Sequence, residues 1–179
     1  MRKIRIMFSK KVEAALNKQV RLEGFSSNVY LSMAVWAEQQ GFEGVANFMY
    51  KHADEERQHM LKLVKFMNER GATIEIPMIE KPPHNFENLR AVFEELLSHE
   101  MKVTNEINGL VYLTLEEKDY TTHNFLQWYV AEQLEEEALA RTILDKLKII
   151  GTESGSGIYM FDRDIAQLVV TSASADPAV

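Results

Sequence analysis

Helical periodicity places one glutamate at the centre of each of four apolar faces. At 100° per residue, Glu23 shares a face with Val12 and Leu16. The same angular spacing places three further acids on the apolar faces of their own helices: Glu56, Glu100 and Glu136. Burying an unpaired carboxylate costs several kcal/mol, so four such groups need protons or a compensating cation. The pattern therefore indicates a metal site built mainly from carboxylate oxygens.

One of these acids belongs to a Glu-x-x-His pair. Glu56 and His59 lie one turn apart on the same face of their helix. Di-iron carboxylate bundles combine such pairs with single glutamates from two other helices. The single ligands here would be Glu23 and Glu100. The fourth helix has Gln133-x-x-Glu136 instead of a second pair, so we expect two metal positions of unequal affinity, the second without histidine.

Other polar residues near these faces could serve either the metal site or an ordinary structural role. Tyr30, one heptad after Glu23, fits either core packing or a hydrogen-bonding partner of the site. Three acids beside the faces fit either solvated positions or a third cation site: Glu55, Glu132 and Glu135. His52 is interpreted as a core histidine. The sequence places three more histidines at helix ends or on the surface: His84, His99 and His123.

Helix-breaking residues define the elements that must position these side chains. Only four prolines occur, and residues 9–70 and 87–150 contain none. A break near the middle of each stretch predicts two helical hairpins, with helices over residues 9–39, 42–70, 87–116 and 121–149. A long crossover, a short fifth helix and a tail are expected at residues 71–86, 158–169 and 170–179. The prediction is a single all-α domain, 1–179.

The acids of each hairpin are expected at similar heights. At 1.5 Å per residue, Glu23 and Glu56 lie ~27 and ~23 Å from the turn at Gly41. Glu100 and Glu136 both lie ~27 Å from the turn at Lys118. The sequence does not fix the relative height of the two hairpins, so their alignment is an assumption.

Composition excludes several classes of function. A net charge of −7 over 179 residues disfavours binding to nucleic acid or to an anionic membrane. The absence of cysteine excludes disulfides, thiolate zinc sites and iron–sulfur clusters. No apolar run approaches the ~18 residues of a membrane span, and the basic start lacks a signal-peptide core. We therefore expect a cytoplasmic protein.

Five segments in order along the chain resemble the bacterial non-haem ferritins. They lie at residues 22–30, 42–60, 98–100, 124–137 and 154–168. The resemblance implies a ferritin-like four-helix bundle with a long crossover and a short fifth C-terminal helix. It also implies a hollow homo-oligomeric shell of 24 subunits. Such a shell oxidises Fe²⁺ with O₂ or H₂O₂ and stores Fe³⁺ as a mineral, a role in iron homeostasis.

The resemblance assigns a role to each residue that matches the family's pattern. Glu23, Glu56 and His59 match the first iron site of the ferroxidase centre. Glu100 and Glu136, with Glu56 bridging, match the second. A third iron site is implied at Glu55, Glu132 and Glu135, together with Glu136. Tyr30 and Gln133 match the tyrosine and glutamine beside the diiron pair.

Two departures from related proteins bear on haem and on iron entry. Haem-containing bacterioferritins have a methionine after the bridging glutamate, and this chain has Arg57 there, so no haem is expected. Animal H-type chains line their three-fold channel with two acids. His123 and Leu126 occupy the matching positions, so that entry route is not predicted here.

Three alternative functions stay open at this stage. A small rubrerythrin-like diiron peroxidase would use a similar bundle, although such proteins usually add a cysteine-rich iron domain. A carboxylate-bridged oxygenase would need a substrate pocket and a reductase partner. A non-enzymatic helical structural module would have to pair its buried acids with lysine or arginine, and no basic residue lies beside the four glutamates on their faces.

Overall fold

A computed structural model describes residues 9–151, 155–166 and 168. The described residues form five helices: α1 (Lys10–Gln39), α2 (Glu43–Glu69), α3 (Leu89–Glu116), α4 (Tyr120–Ile150) and α5 (Gly155–Ile165). The predicted all-α bundle with a short fifth helix is confirmed. The predicted tail, 170–179, lies outside the described residues. None of the helices described is both long enough and apolar enough to cross a membrane.

The fifth helix differs from its predicted bounds. The sequence predicts a glycine-rich joint up to residue 157, but α5 begins at Gly155 and ends at Ile165. Glycine disfavours a helix by about 1 kcal/mol per residue. Packing against the bundle compensates for this cost, because Phe161 and Ile165 of α5 are buried in the core.

Side-chain caps fix where three of the long helices begin. An oxygen of each capping residue accepts a hydrogen bond from a backbone N–H in the first turn. The caps are Ser9 for α1, Asn88 for α3 and Asp119 for α4. Asp119 also accepts a hydrogen bond from Arg70 Nη1 at 2.6 Å, which ties the end of α2 to the start of α4.

The crossover runs along α1 and sets the second hairpin beside the first. Asn17 Nδ2 donates to Thr73 O at 2.9 Å near the start of the crossover. Further on, Ser32 Oγ donates to Pro83 O at 2.7 Å. The crossover therefore advances in the same direction as α1, which returns the chain to the far end of the bundle before α3 begins. α3 then packs against α1 as well as against α4.

The apolar core divides into two clusters, and every long helix contributes to both. One cluster includes buried residues within 29–37, 45–53, 89–96 and 140–147, and α5 adds to it. The other includes buried residues within 12–20, 63–67, 103–110 and 126–129. Each helix therefore has one interval near its middle where the apolar core is interrupted.

Asp162 attaches α5 to the first turn of α2. Its Oδ2 and Oδ1 accept hydrogen bonds from the backbone N–H groups of Gly44 at 3.1 Å and Val45 at 2.9 Å. A carboxylate at a helix N-terminus is favourable because those N–H groups have no partner within the helix. The backbones are so close that a Cβ on Gly44 would lie 1.7 Å from Asp162 O.

Gly44→Ala is therefore expected to displace α5 from α2 while the four long helices stay folded. Deuterium uptake should rise across α5 and stay near the native level in α1 and α3. Gly109→Ala is the matched control, since its Cβ would meet no described atom outside its own helix within 4 Å. That control should stabilise the protein by up to about 1 kcal/mol. Native uptake in α5 of the Gly44 variant would contradict the expected displacement.

Candidate metal centre

The interrupted level of the core holds the predicted metal ligands. Four carboxylates there are almost fully buried: Glu23 and Glu100 at 1% exposure, Glu136 at 3% and Glu56 at 4%. His59 is also buried. These five residues, which we call the acidic centre, come from all four long helices. The two hairpins are thus aligned in height, in agreement with the assumption made from the sequence.

Glu23, Glu56 and His59 form one compact group. His59 Nδ1 lies 3.7 Å from Glu56 Oε2 and 3.9 Å from Glu23 Oε2. One ligand atom from each of the three residues falls within 4.8 Å of the others. Gln19, one turn before Glu23, donates from Nε2 to Glu23 Oε1 at 2.5 Å and fixes that carboxylate. This group corresponds to the first iron position implied by the resemblance.

Glu100 of α3 is held by Gln133 of α4, the neighbouring helix of the same hairpin. Gln133 Nε2 donates to Glu100 Oε2 at 2.9 Å. Burial raises the pKa of Glu136, and the negative charge of the nearby Glu100 raises it further. Glu100 does not join a ligand group within 4.8 Å among the described residues. The set expected for the second iron, Glu56, Glu100 and Glu136, is therefore close together without forming one compact cluster.

Two further groups adjoin the acidic centre, and Glu55 belongs to both. One combines Glu55 with His59 and Glu132, where His59 Nε2 lies 4.0 Å from Glu132 Oε1. The other combines Glu55 with His52 and Glu136. Glu135 is half-buried and joins neither group. Burial raises the pKa of Glu132, and the charge of Glu135 adds to that effect. Of the four carboxylates implied as a third iron site, Glu132 and Glu136 thus belong to different clusters, Glu55 belongs to both and Glu135 to neither.

Burial raises the pKa of every acid in the centre. Burial raises the pKa of Glu56 to about 7 and that of Glu100 to about 8. The pKa values of Glu23 and Glu136 are also raised well above the usual range, first by burial and then by neighbouring carboxylates. Without a cation, these side chains therefore retain protons near neutral pH. Bound cations would displace those protons, because metal ligands must be deprotonated.

Several buried oxygen atoms at this level have no hydrogen-bond partner among the described residues. They are Glu23 Oε2, Glu132 Oε1, Glu135 Oε2, Glu136 Oε1 and the hydroxyl oxygens of Tyr30 and Tyr129. A buried polar atom without a partner costs about 1–3 kcal/mol. Hard oxygen donors with an adjacent imidazole suit a divalent transition metal and leave these atoms satisfied. The donor set therefore fits cations bound between the helices.

Sequence reasoning missed some of the polar residues around the centre. Tyr129 was given no role from the sequence, yet burial raises its pKa and the charges of Glu23 and Glu56 raise it further. The prediction that His99 is terminal or exposed is wrong: His99 is buried in α3, and its Nε2 lies 2.7 Å from Ser26 Oγ. Burial lowers the pKa of His99 to about 4, so the ring is neutral. The spacing of Gln19 and Glu23, four residues apart on one face, could have revealed Gln19.

Tyr30 lies between two imidazoles. Its ring makes edge contacts with His99 at 5.9 Å and with His52 at 6.3 Å between ring centroids. It is fully buried, in keeping with both readings from the sequence.

The three residues that differ from the haem-binding and animal relatives are not equally buried. Arg57 is exposed on α2. Leu126 is completely buried in the apolar core, while His123 is half-buried. Leu126 therefore serves the packing of α4 within this subunit.

The same fold and sequence pattern occur in known ferritins. The chain matches the Ferritin-like domain family over residues 13–150. It is 50% identical to a Haemophilus influenzae protein named "Probable bacterial non-heme ferritin-like protein", over 90% of this chain and 98% of that protein. It is 44% identical to a "Bacterial non-heme ferritin" of Campylobacter jejuni, over 92% of this chain and 98% of that protein.

Solved structures agree with this relationship. The open pore ferritin of the archaeon Archaeoglobus fulgidus aligns with a TM-score of 0.88 and 40% identity, over 90% of this chain and 98% of that one. The ferritin-like bundle predicted from the sequence is confirmed by this likeness. With a family match over most of its length and relatives this similar, the chain belongs to the ferritin family, among the bacterial non-haem ferritins.

Proposed function

We propose that this protein stores iron and oxidises Fe²⁺ at the acidic centre. The observation that carries the proposal is the convergence of four buried carboxylates and one imidazole at a single level of the bundle. Several of their oxygen atoms lack hydrogen-bond partners among the described residues, as expected of ligands. Membership of the ferritin family supports an oxidoreductase role in general, and the donor set supports ferroxidase activity in particular.

Iron is the substrate in the proposed reaction. Glu23, Glu56 and His59 bind the first Fe²⁺, while Glu100 and Glu136 bind the second with Glu56 shared between them. Carboxylate ligands favour the higher charge of Fe³⁺ and so promote loss of an electron from each ion. When O₂ is the oxidant, the two electrons and two protons convert it to H₂O₂. The protons that the acids release on metal binding are available at the same place.

The surrounding residues orient the ligands. Gln19 fixes Glu23, and Gln133 fixes Glu100, through hydrogen bonds from side-chain amides. Tyr30 and Tyr129 have buried hydroxyl groups without hydrogen-bond partners among the described residues. Glu55, Glu132 and Glu135 extend the acidic centre on one side and would hold a third Fe²⁺. We assign no haem to this chain, because Arg57 replaces the methionine that haem-binding relatives use.

Storage requires a shell, and we propose that the chain assembles into one of 24 subunits in the cytoplasm. The aligned structure from Archaeoglobus fulgidus is itself described as an open pore ferritin. The net charge of −7 suits a container that concentrates cations. Fe³⁺ would then be deposited as an oxyhydroxide mineral inside the cavity.

Size-exclusion chromatography before and after aerobic addition of Fe²⁺ tests the storage role. We expect a particle of several hundred kilodaltons that takes up far more iron per subunit than its ligand groups can bind. A dimer that retains two iron ions per subunit would instead indicate a small diiron enzyme of the rubrerythrin type. A particle that excludes iron would contradict storage and favour a structural module.

A further inference from the structure

His52 presents an unused nitrogen lone pair beside the acidic centre. Its Nδ1 lies 2.9 Å from the carbonyl oxygen of Phe48. A carbonyl only accepts hydrogen bonds, so Nδ1 carries the proton, and Nε2 of the neutral ring has a free lone pair. Histidines that bind metals usually donate their other N–H to a carbonyl or carboxylate in this way. The hydrogen bond to Phe48 thus fixes the tautomer that a metal ligand needs.

The lone pair is buried and faces carboxylates. The side chain of His52 is 8% exposed, and Nε2 has no hydrogen-bond partner in the part of the chain that the structure describes. Glu136 Oε2 lies 3.8 Å from it, too far for a hydrogen bond. One atom each of His52, Glu55 and Glu136 falls within 4.8 Å of the others.

The ring of His52 cannot easily turn away from these acids. It lies against Phe48 at 4.1 Å between ring centroids, and Tyr30 meets its edge from another side. Nε2 of His52 and Oε1 of Glu136 are both buried without hydrogen-bond partners among the described residues. A cation bound by His52 Nε2 and the Glu136 carboxylate would displace the proton of that acid and give both groups a partner.

We propose that His52, Glu55 and Glu136 bind a divalent transition-metal ion next to the diiron centre. One imidazole nitrogen and two carboxylates suit Fe²⁺, Co²⁺ or Zn²⁺, while Mg²⁺ and Ca²⁺ prefer oxygen ligands alone. The site differs from the third iron site implied by the resemblance, which has four carboxylates and no nitrogen. The inference rests on the proposed function for its role, a holding position for Fe²⁺ that shares Glu136 with the centre.

Cobalt binding to the metal-free, full-length protein tests this site without any oxidation. Crystals soaked in Co²⁺ should give an anomalous peak within bonding distance of His52 Nε2. His52→Gln and His52→Leu should remove that peak and weaken one class of Co²⁺ site by at least about tenfold in calorimetric titration. Glu132→Gln is the matched control and should leave the peak in place, since Glu132 belongs to the other group around Glu55.

The opposite results would overturn the site. A peak among Glu55, Glu132 and Glu135 that persists in both His52 variants, and disappears in Glu132→Gln, assigns the ion to the carboxylate site instead. A wild-type crystal with Co²⁺ only between Glu23, Glu56 and His59 also contradicts the inference, even where the variants fail to fold. Rapid Fe²⁺ oxidation by the same wild-type sample would leave the proposed function intact in that case, whereas its absence would count against the proposed function alone.

Discussion

Replacing Glu56 or His59 with alanine is expected to slow the rapid phase of Fe²⁺ oxidation by at least about tenfold, since even indirect partners of metal ligands contribute that much. Both residues belong to the compact group around Glu23, and Glu56 would serve both iron ions. The measurement is stopped-flow absorbance after mixing anaerobically loaded Fe²⁺ protein with oxygenated buffer.

The variants should remain folded and assembled. Glu56 is a buried acid whose pKa is raised by burial, so removing it relieves an unfavourable group in the metal-free protein. Glu69→Ala is the matched control, because Glu69 is an exposed acid on the same helix, α2. The control should oxidise Fe²⁺ at the wild-type rate. Wild-type rates in both Glu56→Ala and His59→Ala would refute the assignment of the centre.

The metal-free protein is expected to lose stability as the pH rises from about 4.5 to about 8. The pKa is raised to about 7 for Glu56 and to about 8 for Glu100, so the folded state holds protons that an unfolded chain releases near pH 4–5. Stability falls with pH wherever the folded state binds more protons. Each unit of pKa shift corresponds to about 1.4 kcal/mol, so the summed effect is on the order of several kcal/mol.

Buried histidines act in the opposite direction at lower pH. Burial lowers the pKa values of His52 and His99, so the folded state binds fewer protons than the unfolded chain below about pH 6.5. Their contribution to stability increases as the pH rises to that point and is constant above it. Unfolding curves recorded above pH 6.5 therefore isolate the carboxyl groups.

The variant Glu100→Gln and a bound divalent cation each test how much of this pH dependence of stability comes from the acidic centre. Glutamine keeps an oxygen that can accept the hydrogen bond from Gln133 but cannot ionise, so the variant should lose less stability with pH. Zn²⁺ at 100 times its dissociation constant should add about 2.7 kcal/mol and remove the decline in the wild type. Equal pH profiles for wild type and Glu100→Gln, measured by urea unfolding, would argue against buried protonated acids.

The sequence was sufficient to predict the positions of the acids along each helix. A glutamate on an apolar face is visible from periodicity alone, and counting residues from each turn gives its height. Alignment of the two hairpins was not predictable in this way. It depends on contacts of the crossover, such as Asn17 with Thr73, that join residues 56 positions apart.

His99 and Tyr129 were missed for two different physical reasons. α3 packs against both α1 and α4, so its buried arc is wider than a single apolar face. His99 lies in the part of that arc that faces Ser26, outside the face that periodicity detects. Tyr129 was missed because an aromatic ring can pack in the core while its hydroxyl group reaches a polar site, and periodicity does not register that end.

The division of the apolar core into two clusters affects how the subunit can bind and release iron. Each end of the bundle is packed around its own apolar cluster, which includes Phe93 at one end and Ile107 at the other. The acidic centre lies between these clusters, so a rearrangement of its ligand side chains on iron binding need not disturb the packing at either end of the bundle.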